Sequence, residues 1–158
     1  GGIVWLIEKL RGMMHSGKSA QLGITALVSL ADCATANNTV AIILCGGVAK
    51  DMSREFRVDP RRTASLLDVF SCVFQGIIPY GAQLLMAASL TAATYDIAIS
   101  PTEIVPYMWY CWILAAFGLL SVFVPYADRI CRRDPWNWEY DVPESGVAAK
   151  KALMEKER

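Results

Sequence analysis

Ala31-Asp32-Cys33-Ala34-Thr35-Ala36-Asn37-Asn38-Thr39 sets a carboxylate, two amides and two hydroxyls into a run that is otherwise apolar from Ala20 to Ala49. In water such a stretch is an ordinary turn. In lipid each unpaired polar group costs several kcal/mol, so the same stretch persists only where it is buried in protein or lines a cavity. The solvent therefore decides the fold.

Composition favours lipid. Hydrophobic residues make up 54% of the 158-residue chain and charged residues 19%, against roughly 25% charged in soluble domains. The fifteen Lys and Arg residues balance fifteen Asp and Glu residues, yet no Lys or Arg occurs between Arg62 and Arg129. The neutral total hides a strong segregation. Of the cysteines, Cys33, Cys45, Cys72 and Cys111 fall in apolar segments and Cys131 lies just beyond. No CxxC or Cys/His spacing joins them, so they read as reduced packing residues. The chain opens at Gly1 without an initiating Met, and Ile3 to Ile7 reads as the tail of an apolar helix. A C-terminal part of a larger membrane protein is the expectation.

Gly12-Met13-Met14-His15-Ser16-Gly17-Lys18-Ser19 matches the phosphate-cradling G-x-x-x-x-G-K-[ST] pattern. That chemistry needs a buried strand running into the first glycine, so that backbone N–H groups converge on phosphate at a helix start. Glu8-Lys9-Leu10-Arg11 supplies no such strand. A polar loop is the plainer reading, with His15, the one histidine, as a solvated side chain.

The apolar run divides into arms Ala20–Ala31 and Val40–Ala49, each short of the roughly twenty residues a spanning helix needs. Its flanks are both basic: Lys9, Arg11 and Lys18 before it, and Lys50, Arg54, Arg57, Arg61 and Arg62 after it. Basic flanks belong on the cytoplasmic side, which a re-entrant hairpin satisfies and a single crossing does not. The hairpin is placed at residues 20–49 with Asn37, Asn38 and Thr39 at its tip. Asp59 then caps and Pro60 opens the next helix. Residues 60–94 are long enough to span but are interrupted by Gln75-Gly76-Ile77-Ile78-Pro79-Tyr80-Gly81-Ala82-Gln83. Pro79 removes a backbone donor, and the glycines permit unusual backbone geometry. Two half-helices meeting at mid-depth are expected, since a plain proline kink would need neither glutamine. A straight transmembrane helix follows at 103–127, with Tyr107, Trp109, Tyr110 and Trp112 as interfacial aromatics at its outer end. Residues 128–158 form a cytoplasmic tail, whose Trp136, Trp138 and Tyr140 rest at the headgroup boundary or pack on neighbouring loops. The fold class is an all-α, multi-pass membrane protein fragment with every basic residue on one face.

Three separated motifs, A-D-C-A-T-A-N-N-T-V-A-I, V-D-P-R-R-T-A-S-L-L-D and Q-G-I-I-P-Y-G-A-Q, resemble the C-terminal part of an NhaC-type Na+/H+ antiporter of the ion transporter superfamily. The likeness spans about Gly1 to Tyr126. It implies part of one of two inverted repeats, each with a re-entrant hairpin and a discontinuous helix whose tips bind ion and substrate. It also implies a bacterial or archaeal cytoplasmic membrane, a missing N-terminal half of the same transporter as partner, no nucleic acid, and no cofactor besides transported Na+ and H+; homodimerisation stays open. Position by position, Asn37, Asn38 and Thr39 resemble the hairpin-tip element, and Gly76 to Gln83, with Pro79 and Gly81, resembles the helix break. Gly46-Gly47 stands where some relatives have a Gly-Pro pair.

Exchange of Na+ for H+ needs one negative charge for which the two ions compete, and a membrane-embedded carboxylate provides it. Asp32 is the first candidate, with a structural hydrogen bond to the hairpin backbone as its alternative role. Asp68 is second, and it equally suits the helix N-terminus. Oxygens of Thr35, Asn37, Asn38 and Thr39, with carbonyls near Gly76–Gly81 and the amide of Gln83, would complete a shell for a hard cation. An organic-anion exchanger or sodium-coupled carboxylate transporter of the malate/lactate type is the competing function, and a non-transporting membrane subunit a third. No nucleophile–base pair points to an enzyme.

Overall fold

The computed structural model describes residues 16–124, 126–139, 141–147 and 154–155, and within them the chain is mostly helical. The expectations for Ile3 to Ile7, for Gly12 to His15 and for Tyr140 lie outside the described residues.

Helix α1 spans Gly17–Thr35 and helix α2 spans Asn38–Glu55. Ser16 starts α1 with a capping box: its hydroxyl accepts from the Ser19 N–H, while the Ser19 hydroxyl accepts from the Ser16 N–H. Ala36, in the left-handed region at φ 48°, ends α1 by donating its N–H to the Asp32 carbonyl at 2.7 Å. Asn37 caps α2 through its side chain, which accepts from the Val40 N–H at 3.2 Å. The arms are therefore longer than the apolar runs 20–31 and 40–49, and the polar stretch Asp32 to Thr35 is helical rather than a break. Helical hydrogen bonding continues through polar residues that hydropathy alone excludes. Thr25 and Ser29, for example, donate back to the carbonyls of Gln21 and Thr25. Only Ala36 and Asn37 are left to make the turn.

Helix α3, Pro60–Ile77, begins as expected, with Asp59 accepting from the Arg61 N–H and Pro60 in the first turn. Ile78, the residue before Pro79, is extended at φ −71° and ψ 117°. A turn over Ile78–Gly81 then closes with the Gly81 N–H on the Ile78 carbonyl at 3.0 Å, Pro79 holding its favoured second position. Helix α4, Ala82–Tyr95, resumes from there. The discontinuity falls inside the expected segment, and Pro60–Tyr95 together is long and apolar enough to cross a membrane.

The straight helix expected at 103–127 is corrected. A short α5, Pro101–Ile104, and a 3-10 turn, Val105–Tyr107, lie at 56° to α6, Trp109–Phe123. Pro106 has no N–H to continue the ladder, so the chain tightens and Met108 leaves helical geometry at ψ 57°. The indole N–H of Trp112 donates to the Val105 carbonyl across the bend at 3.2 Å. At the far end Val124 is extended because Pro125 follows it.

Helix α1 runs parallel to α3 and antiparallel to α2, and the three share the core of Ile24, Leu27, Val28, Met52, Leu66 and Phe70. Helix α1 is the innermost, buried from Ala20 to Asp32 on most of its circumference. Helix α6 packs antiparallel on α3 through two glycines. A Cβ on Gly76 would meet the Cys111 sulfur at 2.4 Å, and one on Gly118 would meet the Phe70 ring at 3.0 Å. In contrast, Leu84 is the one buried residue of α4.

Basic side chains gather at one end of the bundle, where Lys18 donates to the Phe123 carbonyl and Arg62 bridges Gln21 and Ser121. Helix α7, Tyr126–Arg133, and a two-stranded ribbon, β1 Trp136–Asn137 with β2 Val142–Pro143, close over this end. Trp136 and Trp138 pack on neighbouring side chains: Arg61 lies over the Trp136 ring and Arg57 over Trp138. Burial acts to raise the Asp59 carboxyl, but hydrogen bonds and charge from Arg61 outweigh it and hold the group below the usual carboxylate range. Asp134 is likewise lowered, first by the Ser145 N–H and then by the Ser145 hydroxyl and Arg61.

Both carboxylates have folded-state values below their unfolded ones. Their stabilising contribution is thus complete above about pH 4 and is lost as pH falls through the folded values. Thermal unfolding in detergent should show a midpoint that declines below about pH 4, with a shallower decline in Asp59→Asn. Gly76→Val should lower unfolding stability by about 1–3 kcal/mol. Combining it with Cys111→Ala should recover part of that loss, and strict additivity of the two changes would refute the close contact.

Candidate functional site

The polar turn between α1 and α2 meets the turn between α3 and α4. The Tyr80 hydroxyl donates to the Cys33 carbonyl at 2.5 Å, and the Asn38 amide reaches the Cys72 sulfur at 3.9 Å. The parallel course of α1 and α3 brings both chain reversals to one level. Two polar backbone irregularities are thereby joined at the end of the bundle remote from the basic residues.

Asp32 sits in the last turn of α1 with a relative exposure of 0%, and among the described residues neither carboxylate oxygen has a hydrogen-bond partner. The alternative role, a hydrogen bond to the hairpin backbone, is therefore not the one observed. Its position adds to the difficulty, because the C-terminal end of a helix carries about half a negative charge on its carbonyls. An anion here is shielded from bulk solvent, has no donor among the described residues and faces an unfavourable dipole, so its charged form is costly unless a proton or a cation meets it.

Several expected ligands are committed to shaping the turn instead. The Thr35 hydroxyl donates to the Ala31 carbonyl at 2.9 Å and to the Asn37 carbonyl at 3.2 Å. The Asn37 side-chain oxygen is used as the α2 cap. Asn38 keeps more freedom, its oxygen accepting only a long 3.4 Å bond from the Thr39 hydroxyl. Thr39 itself is exposed.

At the helix break, the Gln75 amide donates to the Gln83 side-chain oxygen at 2.9 Å, tying α3 to α4 across the turn. Gln75 is buried, and among the described residues its own side-chain oxygen has no partner. Gly81 is demanded by close approach: a Cβ there would lie 3.1 Å from the Ile78 carbonyl and 3.3 Å from the Gln75 carbonyl. Pro79 fixes the turn, and Gly76 serves packing against Cys111 rather than the tip. Asp68 is not brought to this place. It is exposed on α3, and among the described residues its side chain has no partner.

Gln75, Tyr80 and Cys72 join the site although none stood out as a ligand in the sequence. For Gln75 the signal was present, as a second glutamine flanking the break. Tyr80 and Cys72 act through a tertiary contact that no local pattern encodes. Among the described residues no group of three or more His, Cys, Asp or Glu could hold a metal ion, so any cation would be held mainly by neutral oxygens around one carboxylate.

Comparisons of the chain with protein-family models, with curated proteins and with solved structures return no match.

Asp32→Asn keeps the side-chain shape and removes the charge. In sodium-free buffer at neutral pH it should raise unfolding stability by about 1–3 kcal/mol. A loss of similar size would mean that the carboxylate holds the fold together.

Proposed function

We propose that this chain forms part of the membrane domain of a secondary transporter that exchanges Na+ for H+, with Asp32 as the group for which the two ions compete. The observation behind this reading is the fully buried, unpartnered Asp32 carboxylate beside a hairpin turn that touches a helix break. Na+ is a substrate here, not a resident cofactor. Asn38 and Gln75 offer nearby neutral oxygens at the same two irregularities, while Thr35, Asn37, Pro79 and Gly81 shape the turns that bring them together. A proton neutralises Asp32 directly, and Na+ does so electrostatically. Because one carboxylate serves both, each ion expels the other.

The membrane setting draws support from surface chemistry. Leu85, Met86 and Leu90 on α4 are exposed, as are Trp109, Tyr110, Ile113, Phe117 and Phe123 on α6, an apolar expanse that requires lipid or protein cover. Among the described residues the spanning candidates are Pro60–Tyr95 and, if the bent pair counts as one, Pro101–Phe123. The hairpin is read as re-entrant: the charged turns at Lys18 and Lys50–Glu55 stay with the basic end, leaving an apolar reach that stops at the level of the helix break. Exposed Asp68 on the Pro60–Tyr95 element then needs a partner, and the N-terminal half of the transporter is the proposed one.

A second reading rests on one observation. Helix α4 starts at Gly81 without a side-chain cap, so its first N–H groups are open to an anion, as a carboxylate exchanger of the malate/lactate type would use them.

In everted membrane vesicles containing the full-length transporter, NaCl should dissipate a respiration-generated proton gradient. Asp32→Asn at equal expression should cut that response by about tenfold or more. Dissipation that follows added carboxylates but not Na+ would overturn cation antiport in favour of the anion exchanger.

A further inference from the structure

A cleft of about 610 Å³ lies at the basic end and has no part in the Asp32 site. Its volume falls within the roughly 300–1,000 Å³ typical of small-molecule sites. Lys18, Arg57, Arg62 and Arg132 line it, with Trp136 and Trp138 as aromatic walls. Among the described residues, three carboxylates close by are engaged elsewhere. Asp59, which also lines the cleft, is held by Arg61 at 2.7 Å; Asp134 binds Arg61 and Ser145; and Asp141 binds Arg54. Positive charge therefore prevails in a concave, partly apolar space.

The cations are also positioned rather than loose. Arg62 is fixed by its bonds to Gln21 and Ser121, at 3.1 and 2.6 Å. Arg57 rests on the Trp138 face with its ring contact at 5.5 Å, which leaves the edge of its guanidinium donors for another acceptor. Lys18 gives one long bond, 3.4 Å, to the Phe123 carbonyl and retains further donors. The first-turn N–H groups of Gly17 and Lys18 lie at the same wall and have no intrahelical acceptor. A carboxylate would be matched by one arginine; a group with three or four anionic oxygens uses the convergence of several.

We propose that this cleft binds a phosphate group, supplied either by an anionic phospholipid headgroup or by a free phosphate. Basic pockets between helices at the cytoplasmic surface hold lipid headgroups in this way, and tryptophans favour that boundary. The lipid source rests on the membrane reading given above; the phosphate chemistry does not.

The test uses the full chain purified in neutral detergent. Native mass spectrometry would measure retention of phosphatidylglycerol against phosphatidylcholine, and tryptophan fluorescence would follow titration with inorganic phosphate. Arg57→Gln and Arg132→Gln are exposed changes inside the cleft, and Arg133→Gln is an exposed change outside it. Selective retention of phosphatidylglycerol, reduced about tenfold by the cleft changes and not by Arg133→Gln, supports the site with a lipid source. Saturable fluorescence change with phosphate, lost in the same two variants and without lipid preference, supports it with a soluble source. Absence of both, or an equal effect of Arg133→Gln, overturns it. Neither readout involves transport, so failure of Na+/H+ exchange and failure of this site are separately visible.

Discussion

A fully buried carboxylate with no hydrogen-bond donor among the described residues is the constraint to which the rest of this structure answers. Asp32 lies inside the most buried helix, one turn from its end. An ordinary protein removes such a charge or surrounds it with donors. Here the surrounding polar atoms are organised to maintain the turn rather than to satisfy the acid: Thr35 and Asn37 bind backbone, Tyr80 binds the Cys33 carbonyl, and Gln75 binds Gln83. The acid is thus left unsatisfied by the side chains that shape the turns around it.

The two chain reversals depend on each other. A helical hairpin can end anywhere that an αL residue and an N-cap occur together, as Ala36 and Asn37 do. Its level within the bundle is set by α3, which runs parallel to α1 and stops at Ile77 because Ile78 precedes a proline. The close packing of Gly76 and Gly118 then holds α6 against α3 on the opposite side. Backbone breaks that would be tolerated singly become one polar locus because the helices that bear them share a core.

Where the chemistry was local, the sequence was legible. Asp59 and Pro60 announced the start of α3, Pro79 and its glycines announced the break, and Asn37 and Asn38 announced the turn. Hydropathy misjudged the arms of the hairpin, since a helix is propagated by backbone bonds and passes readily through Asp32 and Thr35. It likewise missed the bend at Met108, because hydropathy stays high through Pro106, which interrupts a helix already begun at Pro101. The candidate site was legible as a pair of segments, but not as a contact. That Tyr80 meets Cys33, and that Thr35 spends its hydroxyl on the turn, follows from tertiary geometry.

The distribution of charge separates two kinds of polar site in one small bundle. At the basic end, Arg61 pairs with Asp59 and Asp134, Arg54 pairs with Asp141, and Arg57 stacks on Trp138, all near the surface where water and salt screen charge. At the opposite end of α1, a single acid lies where nothing screens it. Changes in salt should therefore act on the first region and leave the second nearly unaffected, whereas a small cation that can shed its water acts on the second. The screened charges and the unscreened one thus lie at opposite ends of the same helix, too far apart for a change at one to alter the other directly.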